Sequence, residues 1–168
     1  MTQMHELLLL RHAKSSWKHD GLSDHDRPLN RRGREAAPRM GRLLVDEDIV
    51  PGVILCSTAV RARETAMLVA EAAGIDEARI IHHDELYLAA PETIVDVVRF
   101  GSIDERRVMV VAHNPGLEQL VAHWSKVAAA FPTAALARFG FAIDEWPDLG
   151  LASSPTPLGR WVPRELEG

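Results

Sequence analysis

Short aliphatic runs alternate with segments of helical periodicity along most of the chain. Four runs are apolar at nearly every position, as parallel strands buried on both faces are. They cover residues 5–10, 52–57, 78–83 and 106–112. Between and after them apolar side chains recur every three or four residues, which is typical of amphipathic helices. These predicted helices cover 31–46, 59–73, 91–100 and 116–127. The alternation predicts an α/β domain with a mostly parallel sheet.

Helix boundaries are marked by individual residues. Asn30 is a plausible N-cap for the first helix, and Pro38 inside that helix is expected to kink it or delay its start. Gly74 is predicted to end the second helix, and Pro91 to occupy the first turn of the third.

The pattern changes after the fourth helix. Residues 136–144 and 159–166 read as strands with no helix between them, joined by a segment rich in proline and serine. Two strands in succession predict a hairpin, and therefore an antiparallel edge of the sheet near the C-terminus. The expected architecture is a three-layer α/β/α sandwich.

Length and composition set the class of protein. The 168 residues are 46% hydrophobic and 26% charged, which fits one globular domain over 1–168. No stretch approaches the ~20 apolar residues of a membrane helix, and the start lacks the pattern of a secretory signal. We therefore expect a cytoplasmic protein that does not bind membranes.

Charge and cysteine content exclude further classes. Cys56 is the single cysteine, so a disulfide within the chain and a zinc site built on several thiolates are both excluded. The net charge of -5 argues against broad nucleic-acid binding, which needs a basic face. Any anion must be held locally by a few arginines.

Polar residues follow the predicted strands at the point where each strand ends. In open α/β sheets, ligands bind at this carboxyl edge. The residues found there are Arg11, His12, Ser57, Arg61, Asp84, Glu85, His113 and Asn114. Two guanidiniums beside two imidazoles describe a pocket for a dianion such as phosphate. Nearby positive charge also favours a neutral imidazole that can act as a nucleophile.

Five motifs in order carry a family resemblance. They are LLRHA at 9–13, RPLNRRG at 27–33, STAVRARETA at 57–66, DELY at 84–87 and VAHNPG at 111–116. With these five motifs the chain resembles members of the histidine phosphatase superfamily. Among them it is most similar to the short SixA-type phosphohistidine phosphatases. The resemblance implies a phosphoglycerate mutase-like fold. One helix and one strand separate Glu85 from His113, which leaves no insertion to build a lid subdomain.

The resemblance also implies residue roles. His12 is the expected nucleophile, Arg11 and Arg61 hold the phosphoryl oxygens, and His113 stabilises the transition state. Glu85 lies where many relatives keep their general acid. Four further contacts with phosphate or substrate are expected from Lys14, Ser15, Arg27 and Asn114. Ala13 replaces the usual glycine, and because a methyl group is small we expect activity to survive.

The predicted function is a phosphatase that works through a phosphohistidine on His12, without metal or cofactor, on a phosphorylated protein that carries phosphohistidine. Two alternatives stay open. In the first, the protein is a phosphatase whose substrate is a small phosphate ester or a phosphoserine or phosphothreonine protein. In the second, it is a regulatory module that binds phosphate without turnover. The histidines and aspartates of residues 18–28 match no zinc or calcium spacing and predict a solvated, mobile surface.

Overall fold

The computed structural model describes residues 4–102 and 104–165, and their core is a mixed β-sheet. Its strands are β1 (His5–Arg11), β2 (Val53–Ser57), β3 (Ile80–His83), β4 (Arg107–Ala112), β5 (Leu136–Phe141) and β6 (Thr156–Trp161). The strand order is β3-β2-β4-β1-β5-β6. The first four strands in that order are parallel, whereas β5 and β6 are antiparallel to their neighbours. The mostly parallel sheet with an antiparallel edge is confirmed.

Helices cover both faces of the sheet. They are α1 (Arg31–Asp46), α2 (Val60–Ala73), α3 (Pro91–Gly101) and α4 (Gly116–Ser125). The leucines of β1 alternate between the two layers, since side chains alternate across a strand. Leu7 and Leu9 pack in the cluster that includes α3 and α4, and Leu8 and Leu10 in the cluster that includes α1 and α2. This explains the uninterrupted leucine run and confirms the three-layer architecture.

Helix α1 begins where its capping residue predicts. The Asn30 side chain accepts a hydrogen bond from the Gly33 N–H at 2.9 Å, and the helix continues through Pro38 to Asp46. The expectation that Pro38 delays the helix start is wrong, because the cap already fixes the first turn. Gly74 ends α2 with a φ of 74°, as predicted.

The C-terminal strand differs from its predicted range of 159–166. It begins earlier, at Thr156, and ends at Trp161, because Trp161 pairs with Leu136, the first residue of β5. Pro163–Glu165 form a 3-10 turn, and proline has no N–H to extend a ladder. Residue 166 lies outside the described part. No helix among the described residues is long and apolar enough to cross a membrane.

Candidate active site

A cleft of about 250 Å³ lies at the carboxyl edge of the sheet. The ends of β1, β2 and β4 meet there, because these strands are parallel neighbours. Every residue that was given a catalytic or phosphate-binding role lines it except Glu85, and of the other residues expected at this edge, Ser57 and Asp84 do not line it. The lining residues are Arg11, His12, Lys14, Ser15, Trp17, Arg27, Arg61, Leu88, His113, Asn114 and Thr133.

His12 is held at the end of β1 by its own backbone. The His12 N–H donates to the carbonyl of Ala112 at 3.1 Å, which continues the β1–β4 pairing by one residue. The next N–H, of Ala13, donates to Thr65 Oγ1 at 2.9 Å, and the Thr65 hydroxyl donates to the carbonyl of Arg61 at 2.7 Å. The strand end is thereby tied to α2, the helix that carries Arg61.

The hydrogen bonds of His12 distinguish its two ring nitrogens. Nδ1 lies 2.7 Å from the carbonyl oxygen of Ala13, and a carbonyl only accepts, so Nδ1 carries the proton. Nε2 accepts from Arg61 Nε at 3.4 Å. This assignment follows from the partners of each nitrogen. The lone pair of Nε2 is therefore available in an arginine-lined cleft.

The surroundings keep His12 neutral. Burial, followed by the charges of Arg61, Arg11 and Arg27, lowers its pKa to about 3, against the opposing effect of the Ala13 carbonyl. An imidazole with this pKa is unprotonated at neutral pH, which is the form that acts as a nucleophile.

His113 stands beside His12, with 5.1 Å between ring centroids. Its Nε2 lies 2.7 Å from Ser57 Oγ, which also accepts the Ala59 N–H. The Ser57 proton is thus free to point at Nε2, which favours an N–H at Nδ1. That Nδ1 is buried and has no hydrogen-bond partner within the described chain. Burial and the neighbouring His12, Arg61 and Arg11 lower the pKa of His113 to about 3.

Two more buried polar atoms of the cleft have no partner among the residues that the structure describes: Arg11 Nε and Asn114 Oδ1. The rest of both side chains is anchored, since Arg11 Nη1 and Asn114 Nδ2 both donate to the carbonyl of Phe131. Buried polar groups normally pair. Arg11 Nε and His113 Nδ1 are unsatisfied donors at the cleft, whereas Asn114 Oδ1 is an unsatisfied acceptor.

Asp24 holds Arg61 in place and was missed by sequence reasoning. Arg61 Nη1 donates to the Asp24 carbonyl at 2.7 Å and Nη2 to its carboxylate at 3.0 Å. The Tyr87 hydroxyl donates to the same carboxylate at 2.5 Å. This hydrogen bond, followed by those from Arg61 and Arg27, lowers the Asp24 pKa to about 2. Asp24 stays 43% exposed, which agrees with the solvated surface predicted over 18–28, yet these hydrogen bonds hold its carboxylate in place, and one sequence gives no signal for a contact 37 residues away.

Arg27 forms the other side of the cleft. Its Nη1 donates to Ser15 Oγ at 2.8 Å, and its Nε donates to the Asp24 carboxylate at 3.1 Å. The Arg27 guanidinium lies 3.4 Å from the centroid of the Trp17 ring, which is 78% exposed. Arg27 and Ser15 therefore act as a pair, and Trp17 forms an exposed lip over them.

Glu85 lies outside the cleft. It belongs to a 3-10 turn after β3, which is an edge strand separated from β1 by β2 and β4. Its carboxylate is 3.7 Å from His83 Nδ1 and its side chain is 65% exposed. The member of the DELY motif that reaches the site is Tyr87, through Asp24. The structure does not bring the expected acid to His12.

No group of three or more metal-ligating side chains converges within the part of the chain that the structure describes. The chemistry of the site is that of an anion pocket: three arginines, two neutral histidines and unpaired buried donors. Arginine forks match phosphate oxygens, and a neutral imidazole among them is placed to attack phosphorus.

Comparison with known proteins agrees with this geometry. The family model of the histidine phosphatase superfamily (branch 1) matches residues 7–87. An uncharacterised chloroplastic protein of Arabidopsis thaliana is 32% identical and covers 96% of this chain and 75% of its own length. An uncharacterised protein of Mycobacterium tuberculosis H37Rv is 37% identical over 76% of this chain and 84% of its own.

Among solved structures, a SixA protein from Agrobacterium tumefaciens, to which phosphohistidine phosphatase activity is ascribed, superposes with a TM-score of 0.78. It is 30% identical, and the match covers 95% of this chain and 98% of that protein. These similarities support phosphatase activity. The chain belongs to the histidine phosphatase superfamily, in its short SixA-type branch.

Proposed function

We propose that this protein is a protein phosphohistidine phosphatase that works through a covalent phosphohistidine on Nε2 of His12. One observation carries the mechanism: Nδ1 of His12 donates to the Ala13 carbonyl, so that Nε2 presents its lone pair beside Arg61. A nucleophile needs this tautomer, and a protein that only bound phosphate would have no use for it.

The first step transfers the phosphoryl group to the enzyme. Nε2 of His12 attacks phosphorus, the bond from phosphorus to the leaving group breaks, and the leaving group keeps the electron pair. The guanidiniums of Arg11 and Arg61 bind the equatorial oxygens. The Nδ1–H of His113 donates to a third oxygen, which gives this buried atom its partner.

The second step hydrolyses the phosphoenzyme and regenerates the free enzyme. Water attacks the phosphorus of phospho-His12, the bond between phosphorus and Nε2 breaks, and inorganic phosphate leaves. His12 is again neutral, because its environment disfavours the imidazolium. Arg11, Arg61 and His113 stabilise the transferring group in both steps, so the same contacts serve twice.

The acid–base properties of the cleft favour phosphohistidine as the substrate. An alkoxide leaving group needs a proton from a general acid. Glu85 is outside the cleft, and Asp24, with a pKa of about 2, is ionised at neutral pH. A phosphohistidine releases a neutral imidazole once its other ring nitrogen is protonated, which makes no demand on a strong acid in the enzyme. The SixA likeness points to the same class of substrate.

A side-by-side rate measurement tests this proposal. Matched peptides with phosphohistidine, phosphoserine or phosphothreonine, a sugar phosphate and a generic aryl phosphate are compared at pH 7.5, with and without EDTA. We expect the phosphohistidine peptide to give the highest kcat/KM, and EDTA to change it little. A faster rate on the sugar phosphate or the phosphoserine peptide would overturn the substrate assignment.

The intermediate is tested separately. We expect His12→Asn to abolish turnover of all five substrates while the circular dichroism spectrum and urea midpoint stay close to wild type. Rapid acid-free quenching of wild type should trap a phosphoenzyme that is stable in alkali and labile in acid, with the phosphoryl group on His12. Tight vanadate binding without turnover of any substrate would instead indicate a regulatory phosphate-binding module.

A further inference from the structure

A second cavity, of about 990 Å³, opens next to the catalytic cleft. The two share Lys14 and Thr133 in their linings, so they are continuous at the surface. Cationic side chains dominate the second cavity. We call it the basic groove, and its cations are Lys14, Arg32, Arg39, Arg160 and Arg164. The four arginines of the groove have no role in the proposed mechanism.

Among the described residues that line the basic groove, five are cationic and one, Glu35, is acidic. Glu35 bonds Arg31 at 3.1 Å. Arg160 donates to the carbonyl of Ala130 and lies 5.7 Å from the Phe131 ring, and no carboxylate of the described residues pairs with it. Arg32 and Arg164 are exposed. The groove therefore presents a concentrated positive field.

This concentration contrasts with the protein as a whole. The chain has 24 acidic residues against 19 lysines and arginines. A third cavity, of about 630 Å³, flanks the same end of α1 and adds Lys18 and Arg34 to the cations around the cleft. Positive charge is thus collected on the side of the molecule where the phosphoryl group enters, and a localised field of one sign steers partners of the opposite sign.

The size and lining of the groove indicate what it holds. It is about four times the volume of the catalytic cleft, so a single phosphate does not fill it. Besides its cations, the groove is lined by apolar surface from Ala36, Pro132 and Val162. A groove lined by several cations and some apolar surface suits an extended peptide whose acidic side chains meet the arginines.

We propose that the basic groove binds an acidic segment of the substrate protein next to the phosphorylated side chain. The inference rests on the proposed function, since it places the phosphorylated residue in the cleft and the acidic flank in the groove. It narrows the substrate class from phosphohistidine proteins in general to those with acidic residues near the phosphorylation site. Charge complementarity of this kind acts mainly through KM, because the groove does not touch the reacting atoms.

Two peptides that differ only in charge test the groove. Both carry one phosphohistidine, followed by four glutamates in one and four glutamines in the other. We expect the glutamate peptide to have at least a tenfold lower KM in 20 mM salt with a similar kcat. The advantage should shrink in 0.5 M NaCl, because salt screens exposed charges.

Charge reversal locates the effect. We expect Arg32→Glu combined with Arg164→Glu to remove the KM advantage of the glutamate peptide and to leave kcat and the aryl phosphate rate unchanged. Arg42→Glu is the matched control, since Arg42 is exposed on the same helix outside both basic cavities. An equal loss in the control variant, or equal KM values for the two peptides in wild type, would overturn the groove assignment.

Binding without catalysis separates this inference from the proposed function. Fluorescence anisotropy with the unphosphorylated glutamate and glutamine peptides reports on the groove even if no substrate is turned over. If phosphohistidine is turned over with no preference between the peptides, the proposed enzymatic function is retained and the proposal that the groove binds acidic segments is rejected. Tighter binding of a single-stranded oligonucleotide than of the glutamate peptide would make the groove a nucleic-acid site and also overturn the inference.

Discussion

Nε of Arg61 donates a hydrogen bond to Nε2 of His12 across 3.4 Å. The arginine thus marks the nitrogen that faces the cleft, and its charge helps to keep that nitrogen unprotonated. In the proposed mechanism this one residue of α2 both prepares the nucleophile and binds the phosphoryl oxygens. Asp24 fixes the other end of the guanidinium, which orients Nε toward the ring.

The tautomer and charge of His12 are directly measurable. We predict that the His12 ring in the free protein is neutral with its proton on Nδ1, and that it stays neutral down to at least pH 5 because its pKa is lowered to about 3. Long-range ¹H–¹⁵N NMR of the histidine rings, assigned with His12→Asn, reports both properties. A proton on Nε2, or a titration midpoint near 6.5, would contradict the prediction.

Asp24 is predicted to act on catalysis through Arg61. Removing its carboxylate frees the Arg61 guanidinium to rotate away from His12, so we expect Asp24→Ala to lower kcat roughly tenfold. Arg61→Gln deletes a transition-state donor itself and should lower kcat by about 10²- to 10³-fold. Asp24→Asn keeps an oxygen acceptor and should recover much of kcat. Steady-state kinetics on one substrate check this order, and a loss of kcat in Asp24→Asn as large as in Asp24→Ala would show that geometry is not the cause.

The sequence predicted the elements and the position of His12 in the cleft for one physical reason, and missed Asp24 for another. Burial on both faces makes a parallel strand uniformly apolar, and the rule that ligands bind at the carboxyl edge then selects Arg11, His12 and His113. The position of Asp24 depends on how the loop between β1 and α1 folds onto α2. Contacts distant in sequence decide that fold, such as the Leu29 N–H bond to Glu64 at 2.8 Å. Glu85 lies outside the cleft because the order of the strands places β3 at the edge of the sheet, and pairing between distant segments decides that order.

The two buried neutral histidines make stability depend on pH. The folded-state pKa of His12 and of His113 is lowered from 6.5 to about 3, so between these values the unfolded chain binds more protons than the folded chain. The free energy of unfolding is then highest above pH 6.5 and falls as the pH drops toward 3. Each histidine contributes a slope of at most about 1.4 kcal/mol per pH unit.

Urea unfolding at pH 7.5, 6.5 and 5.5 measures this slope. Asp24, with its pKa of about 2, keeps its charge at all three pH values and does not contribute to the slope. We expect His12→Gln to reduce the slope, because it removes one of the two buried histidines whose pKa is lowered to about 3. His19→Gln, at an exposed histidine, is the control and should leave the slope unchanged. A slope that is the same in wild type and in His12→Gln would rule out this origin.

Gly33 is predicted to be required for the geometry of the cleft as well as for stability. A Cβ at this position would lie 2.2 Å from the Lys14 carbonyl oxygen, which is backbone and is already bonded to the Asn30 N–H at 2.9 Å. The strand end that carries His12 must therefore shift in Gly33→Ala. We expect a loss of about 1–3 kcal/mol in the free energy of unfolding, as for other overpacked sites.

The kinetic effect separates this displacement from ordinary destabilisation. We expect kcat/KM of Gly33→Ala to fall at least tenfold even at temperatures where the variant is fully folded, because Lys14 is two residues from His12, the proposed nucleophile. Arg42→Gly, at an exposed position of the same helix outside the basic groove, costs about 1 kcal/mol through helix propensity and should leave kcat/KM near wild type. Urea unfolding and kinetics on both variants decide the matter, and equal kinetics in Gly33→Ala and wild type would show that the cleft tolerates the shift.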